Sequence, residues 1–244
     1  MIRIWMAAVC FALALPAAAQ TPRKFGVLSL IGDSFVIVKH ESATAEGPAV
    51  ARLTVVDLPE HAFDNSVAAD VEEAIKSAAP GARVVALAGA KMLYSREGDS
   101  VDDPRAVLAR SQRAIVAAGV THLVLLTKMR RRADVPLDPK EAEMQVDGLG
   151  FYMDEAARTG GSDAPAAGYL APYAFFRVWL VDVAREKVIG FREVADLSPV
   201  ARNSNSTTSV WDTLSSAEKV QMVHSLVRKG TQSALHELIR NMPD

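Results

Sequence analysis

An α/β fold, a three-layer sandwich with a mixed sheet, helices on both faces and a projecting hairpin insertion, is predicted by three features of this 244-residue chain. Two short, nearly all-apolar segments, RVVALA at 83–88 and THLVLLT at 121–127, read as strands buried on both faces. Amphipathic helical patterns precede each of them, and strand–helix–strand–helix spacing implies right-handed parallel crossovers. The stretch YAFFRVWLVDVAREKVIGFREVAD at 173–196 reads as an antiparallel hairpin. Its arms, 175–182 and 187–194, are rich in aromatic and β-branched residues, and Ala184-Arg185-Glu186 supplies the turn.

Taken in order, residues 1–19 read as a secretory signal peptide. Arg3 gives the positive start, Trp5 to Leu15 an apolar core, and Ala17-Ala18-Ala19 a small-residue cleavage site before Gln20. That core is shorter than the roughly 20 residues a spanning helix needs, so no transmembrane segment is expected after cleavage. Cys10 is the only cysteine and lies inside the leader. A mature chain at 20–244 then has no disulfide, no thiolate and no cysteine-ligated metal, which fits a bacterial periplasm. The formal net charge is −2, and about −3 without Arg3, which is no nucleic-acid signature. Residues 20–244 are expected to form a single domain.

KFGVLSLI at 24–31 and FVIVK at 35–39 read as strands joined by Gly32-Asp33-Ser34, a hairpin signal. Residues 51–57 form a third strand. Asp64 reads as the cap of a helix running to about Ala79, with Val67, Val71, Ala74, Ile75 and Ala78 on one face and Pro80-Gly81 as the stop. Asp103 caps a second helix with Pro104 at its first position, and Gly119 ends it.

Residues 129–172 break this rhythm. They hold Arg130, Arg131 and Arg132, then GLGFYMD, then the run TGGSDAPAAG. A structureless loop of this length is unusual inside a compact domain, so the segment reads as a projecting insertion with short strands of its own. Within it, 148–153 is expected to pair with 169–175. Residues 198–208 read as a polar loop. Ser215 and Glu218 then make a capping box for a long helix to about Asn241, with Val220, Val223, Val227, Gly230, Ala234 and Leu238 along one face.

The hairpin residues Leu180-Val181-Asp182-Val183 and Lys187-Val188-Ile189-Gly190 resemble the L-V-D-x-x-T-G-x-V hairpin of bacterial envelope proteins. These are the curli-secretion-channel proteins and the lipoprotein activators of peptidoglycan synthases. The resemblance spans about a tenth of the chain, with Arg185-Glu186 in place of Thr-Gly and no lipidation site. It implies a small α/β sandwich and a role in binding and assembly rather than catalysis.

Most chemical motifs are excluded by what is missing. Gly32-Asp33-Ser34 invites a GDS-type ester hydrolase with Ser34 as nucleophile, which needs a histidine base and an Asp to orient it. Such enzymes draw both from a D-x-x-H motif. The residues three before His40, His61, His122, His224 and His236 are Ile37, Leu58, Gly119, Gln221 and Ser233. His236-Glu237 is followed by Arg240 where a zinc site would need its second histidine, so no metal site is expected. Neither a phosphate-binding loop nor a dinucleotide fingerprint occurs, and no cofactor is expected.

The candidate binding residues are therefore Arg130, Arg131, Arg132, Phe151, Tyr152, Tyr169 and Tyr173, since tyrosine and arginine favour protein interfaces and arginine also suits anionic surfaces. The sequence reads as a non-catalytic periplasmic protein of the cell envelope, whose partner is another envelope protein or an anionic envelope surface. The competing readings are a serine ester hydrolase using Ser34, and a small-ligand carrier with an apolar pocket beneath Tyr152 and Tyr169.

Overall fold

The computed structural model describes residues 23–41, 50–89, 93–94, 103–132, 145–154, 169–201 and 210–242. The signal-peptide reading, the proposed cleavage site and most of the polar loop at 198–208 lie outside them.

The chain forms a mixed α/β sandwich around one long strand, β9 (Tyr169–Asp182). Its partners differ along its length. On one edge it pairs antiparallel first with β8 (Leu149–Asp154) and then with β5 (His122–Lys128). Its other edge carries β10 (Lys187–Leu197) and, at its start, β11 (Val200–Ala201). Beyond β5 lie β1 (Lys24–Leu30) and β4 (Arg83–Ala86), all three parallel. Beyond β8 lie β2 (Ser34–Glu41), parallel to it, and β3 (Val50–Asp57), antiparallel to β2. The order β3-β2-β8-β9-β5-β1-β4 makes a curled sheet in which β9 joins a parallel α/β half to a second half.

The handover along β9 falls at Phe175. Met129 N–H donates to the Phe175 carbonyl at 3.1 Å, Phe175 N–H donates to the Gly148 carbonyl at 2.8 Å, and Gly148 N–H donates to the Met129 carbonyl at 3.2 Å. This ring of main-chain bonds satisfies the polar groups where β5 stops and β8 starts. It also lets the chain between them leave the sheet as a two-stranded ribbon, β6 (Arg130–Arg132) with β7 (Gln145–Asp147).

Alternation along the strands divides the core into two faces. On one face, Phe25, Val27, Val124, Leu126, Phe151, Phe176, Val178 and Leu180 pack under α1 (Ala62–Ala78) and α4 (Ser216–Arg240). On the other, Leu28, Leu30, Leu123, Leu125, Trp179 and Val181 pack under α2 (Pro104–Ala117). Further along that second face, Tyr173, Phe175, Tyr152 and Val38 pack with Met129 and Val146 of the ribbon. Helices thus cover both faces.

The helix ends follow local chemistry. Asp103 accepts from Arg105 N–H at 2.9 Å with Pro104 behind it. Ser215 and Glu218 form the capping box, Glu218 N–H donating to Ser215 Oγ and Ser215 N–H to Glu218 Oε2. A one-turn helix, α3 (Val210–Thr213), precedes α4. The buried stripe of α4 is Val223, Leu226, Val227, Thr231, Ala234, Leu235, Leu238 and Ile239, while Val220 is exposed.

Four expectations are corrected. Gly32 to Ser34 does not close a hairpin, because β1 and β2 are not neighbours. The segment instead carries the chain from one half of the sheet to the other. Asp64 is not a cap: α1 begins at Ala62 behind His61, which adopts a left-handed φ of 59°, and Asp64 is buried in the first turn. β4 is a short, half-exposed edge strand rather than one buried on both faces. The described residues of the segment 129–172 are divided between the ribbon and the sheet, with β8 a central strand paired on both edges. The expected pairing of 148–153 with 169–175 is present in the β8–β9 register.

Candidate functional site

The chain leaves the carboxyl end of β1 at a reversal of strand order. β4 and β5 lie on opposite sides of β1, and α1 and α2 lie on opposite faces of the sheet. In open α/β sheets this is where ligands and catalytic groups gather. Here it holds two linked polar groups.

The first is built on Asp64. Its Oδ1 accepts from Ser29 Oγ at 2.5 Å, from Ile31 N–H at 3.2 Å and from Gly32 N–H at 3.1 Å. Its Oδ2 accepts from the Tyr94 hydroxyl at 2.6 Å. Four donors converge on one buried carboxylate, two of them main-chain amides left without a ladder partner where β1 ends. Burial pushes the Tyr94 phenol well above the ordinary tyrosine range, and the hydrogen bond to Asp64 and the charges of Asp64, Asp33 and Glu60 add to the shift. His61 Nδ1 lies 3.5 Å from the same hydroxyl. The approach is close: a Cβ on Gly32 would sit 2.9 Å from Asp64 N and 2.9 Å from Phe63 Cβ, so only glycine lets α1 dock here.

The second group is built on Lys128, at the end of β5. Its ammonium forms an ion pair with Asp33 and donates to Ser34 Oγ at 2.9 Å. Ser34 Oγ in turn lies 3.4 Å from Asp33 Oδ1. Lys128 is nearly buried, its side chain 11% exposed, whereas that of Asp33 is 33% exposed. Ser34 is buried as the first residue of β2 and is not an exposed turn residue. Lys128 thus donates to Ser34 Oγ while Ser34 Oγ donates to Asp33 Oδ1, and among the described residues no histidine is hydrogen-bonded to Ser34 to serve as its base. Among the described residues, no group of three or more His, Cys, Asp or Glu side chains is placed to hold a metal ion.

The residues singled out for binding are scattered. Arg130 is exposed and grips Asp147 with two bonds, Nε at 2.9 Å and Nη2 at 2.8 Å, which close the ribbon. Arg131 is exposed beside it. The side chains of Arg132 and Tyr169 lie outside the described residues. Phe151, Tyr152 and Tyr173 are core residues, 1%, 5% and 0% exposed. Phe151 packs edge-on against Phe35 and Trp211, at ring separations of 6.2 Å and 5.2 Å. Tyr173 stacks on Phe175 at 5.0 Å and donates to the Val36 carbonyl at 3.1 Å. Burial, with the charge of Asp147 adding to it, holds its phenol above the ordinary tyrosine range. An aromatic cluster on a projecting arm is therefore corrected: alternation along β8 and β9 turns these rings into both faces of the sheet.

Sequence reasoning took Asp64 for a cap and missed Tyr94, Lys128 and Ser29. One signal was present. Lys128 is a charge separated only by Thr127 from the buried apolar run Leu123 to Leu126, which places an ammonium at a strand end.

No family model matches the chain, and no curated protein matches it. Among solved structures, it is similar to protein XCC0632 from Xanthomonas campestris, of family DUF330, at 12% identity over 93% of this chain and 90% of that chain, with a TM-score of 0.38. It is also similar to a neuraminyllactose-binding hemagglutinin homolog from Helicobacter pylori, at 7% identity over 92% and 87% of the two chains, with a TM-score of 0.36. A PelC dodecamer from Paraburkholderia phytofirmans is similar at 9% identity over 91% and 92%, with a TM-score of 0.26. Likeness this distant carries nothing about function. Among the described residues, no helix is long and apolar enough to cross a membrane.

Proposed function

We propose that this is a non-catalytic binding or assembly protein of the bacterial cell envelope, exported to the periplasm. The observation that carries the non-catalytic part is that the hydrogen bonds of Ser34 Oγ run to Lys128 Nζ at 2.9 Å and Asp33 Oδ1 at 3.4 Å, with no histidine among its partners in the described residues. The hydroxyl best suited by sequence to be a nucleophile accepts from an ammonium that a neighbouring carboxylate also engages. The Asp64 carboxylate is likewise spent on two main-chain amides and two hydroxyls, which tie α1 to the end of β1 and to Tyr94. The leader at 1–19 and the resemblance of the 180–190 hairpin to envelope proteins support the location.

Two measurements test the reading. Ser34→Ala is assayed with wild type on a panel of short-chain esters, and equal rates are expected. Loss of a robust wild-type activity in Ser34→Ala would overturn the reading in favour of a hydrolase. Crosslinking in intact cells, followed by fractionation, is expected to recover the protein with an envelope component; recovery only in the cytoplasmic fraction would overturn the location.

A further inference from the structure

β3 ends the sheet, and among the described strands it pairs with β2 alone. Its register with β2 is unbroken from Ser34 opposite Asp57 to Glu41 opposite Val50, which leaves a regular, bulge-free edge of eight residues. Leu53, Val55 and Val56 on it are 53%, 49% and 41% exposed. Exposed, regular, apolar edges are templates for pairing, and natural sheets blunt them with short strands, bulges, prolines or charge.

The other open edges are protected in those ways. β4 has four residues. β10 has a register shift between Val188 and Gly190, carries Lys187, Arg192 and Glu193, and is tied to α4 by the Arg192–Glu237 and Lys229–Asp196 ion pairs. β3 has no proline or glycine between Val50 and Asp57, and its charges, Arg52 and Asp57, flank the apolar stretch rather than interrupt Leu53 to Val56.

We propose that β3 is a self-association edge, where a second copy of this chain adds its own β3 antiparallel about a two-fold axis at Thr54. The strand's own sequence selects this occupant. A two-fold axis normal to the sheet keeps the faces of the two copies aligned, so residues that face one another must share a face. Centred on Thr54, Leu53 of each copy faces Val55 of the other, and the large apolar side chains meet in the cross-strand positions that stabilise sheets most. Val38 and Val36 lie opposite Leu53 and Val55 on β2, so each apolar row continues across the junction. Arg52 faces Val56 and Asp57 faces Ala51, so no like charges meet. A shift of the axis to Val55 sets Leu53 against Asp57. A shift to Leu53 sets Val55 against Ala51 and leaves the Leu53–Val55 contact unmade. Two eight-residue edges exchange about eight main-chain hydrogen bonds. The area is that of a weak association, which forms and dissociates readily.

Sedimentation equilibrium of the purified protein, from about 1 to 200 μM, tests this. Wild type is expected to shift from monomer to dimer across that range. The double variant Leu53→Lys with Val55→Lys sets like charges opposite one another at both positions and is expected to weaken dimerisation at least tenfold. Leu53→Lys with Val55→Glu sets opposite charges in the same places and is expected to keep the dimer, with a salt dependence that wild type lacks. Circular dichroism melts check that both variants fold. If the double lysine variant does not fold, Thr54→Arg, which sets two guanidinium groups at the axis, replaces it. A wild type that stays monomeric throughout overturns the proposal. So do two folded double variants that behave alike, whether both dimeric or both monomeric.

Discussion

Asp64 Oδ1 accepts the Gly32 main-chain N–H at 3.1 Å, joining the first turn of α1 to the end of β1. The same oxygen takes Ser29 Oγ and Ile31 N–H, and Oδ2 takes the Tyr94 hydroxyl. Removing the carboxylate strands these donors in a buried site, and each unsatisfied donor costs about 1–3 kcal/mol. Asp64→Ala is expected to lower unfolding free energy by about 3–5 kcal/mol, near the upper limit for single substitutions. Asp64→Asn keeps one acceptor oxygen and the side-chain shape and is expected to lose roughly half as much. Urea denaturation measures both, and an Asp64→Ala loss below about 1 kcal/mol would show that water takes over the bonds.

Tyr173 tests whether a residue with the chemistry of a binding tyrosine is instead part of the core. Its hydroxyl crosses Gly150 to reach the Val36 carbonyl, and a Cβ on Gly150 would lie 1.9 Å from that oxygen and 2.8 Å from the hydroxyl. Tyr173→Phe removes one buried hydrogen bond and is expected to cost about 1–2 kcal/mol. Gly150→Ala forces β2 and β8 apart and is expected to cost more, about 3 kcal/mol or above. Thermal melts rank the two, and a Gly150→Ala protein as stable as wild type would contradict the close approach.

Parts of this fold are legible because their signals are local. The β9–β10 hairpin follows from aromatic and β-branched arms about a polar turn, and the start of α4 from Ser215 and Glu218 three residues apart. The buried strands β1 and β5 announce themselves as apolar runs. What was not legible depends on which distant segments meet. An aspartate near a helix start reads as a cap, and nothing within a few residues of Asp64 says that the end of β1 arrives there. The sequence LGFYMD has the composition of a strand and its pairing with β9 is near in sequence, yet its place between β2 and β9 rests on a pairing with β2, over a hundred positions away. Phe151 and Tyr152 were readable as apolar surface to be buried or offered to a partner, and only the sheet decides which.

Acid should weaken the fold through the amino-terminal end of β5. Burial holds His122 below its ordinary 6.5, outweighing the Asp182 charge that raises it, and the charges of Arg23 and Arg185 act with burial. Burial of Asp182 works to raise its carboxyl, but the Arg185 N–H at 3.0 Å and the Arg185 guanidinium outweigh it and leave it below its ordinary 3.8. Both groups bind their proton less readily folded than unfolded, so the unfolded chain takes up more protons as pH falls. The stability linked to His122 is present above 6.5 and lost below it, and that linked to Asp182 is present above 3.8 and lost below it. The melting temperature is expected to fall from pH about 7 to 5, and again below about 4. His122→Gln should flatten the first window and leave the second; an unchanged first window would assign that loss to other groups.

The segment between β6 and β9 offers the sharpest test, because two architectures predict opposite outcomes. A projecting arm could be replaced at residues 133–171 by a short Gly/Ser linker with little penalty, since loop-closure entropy changes slowly with length. In the sheet found here, that replacement removes β7, β8 and the first residues of β9. β2 loses its parallel partner, and with it β3 loses its tie to the rest of the sheet. Leu149, Phe151 and Met153 leave the face beneath α1 and α4, while Val146 and Tyr152 leave the cluster around Tyr173 and Phe175. Each large buried side chain is worth about 2–5 kcal/mol, so the loss exceeds the 5–15 kcal/mol that holds a typical domain together. The expected product has no cooperative thermal transition, binds a hydrophobic dye such as ANS, and aggregates. A cooperative transition within a few degrees of wild type would mean that the sheet closes without β8, and would return Arg130 and Arg131 to a separable arm.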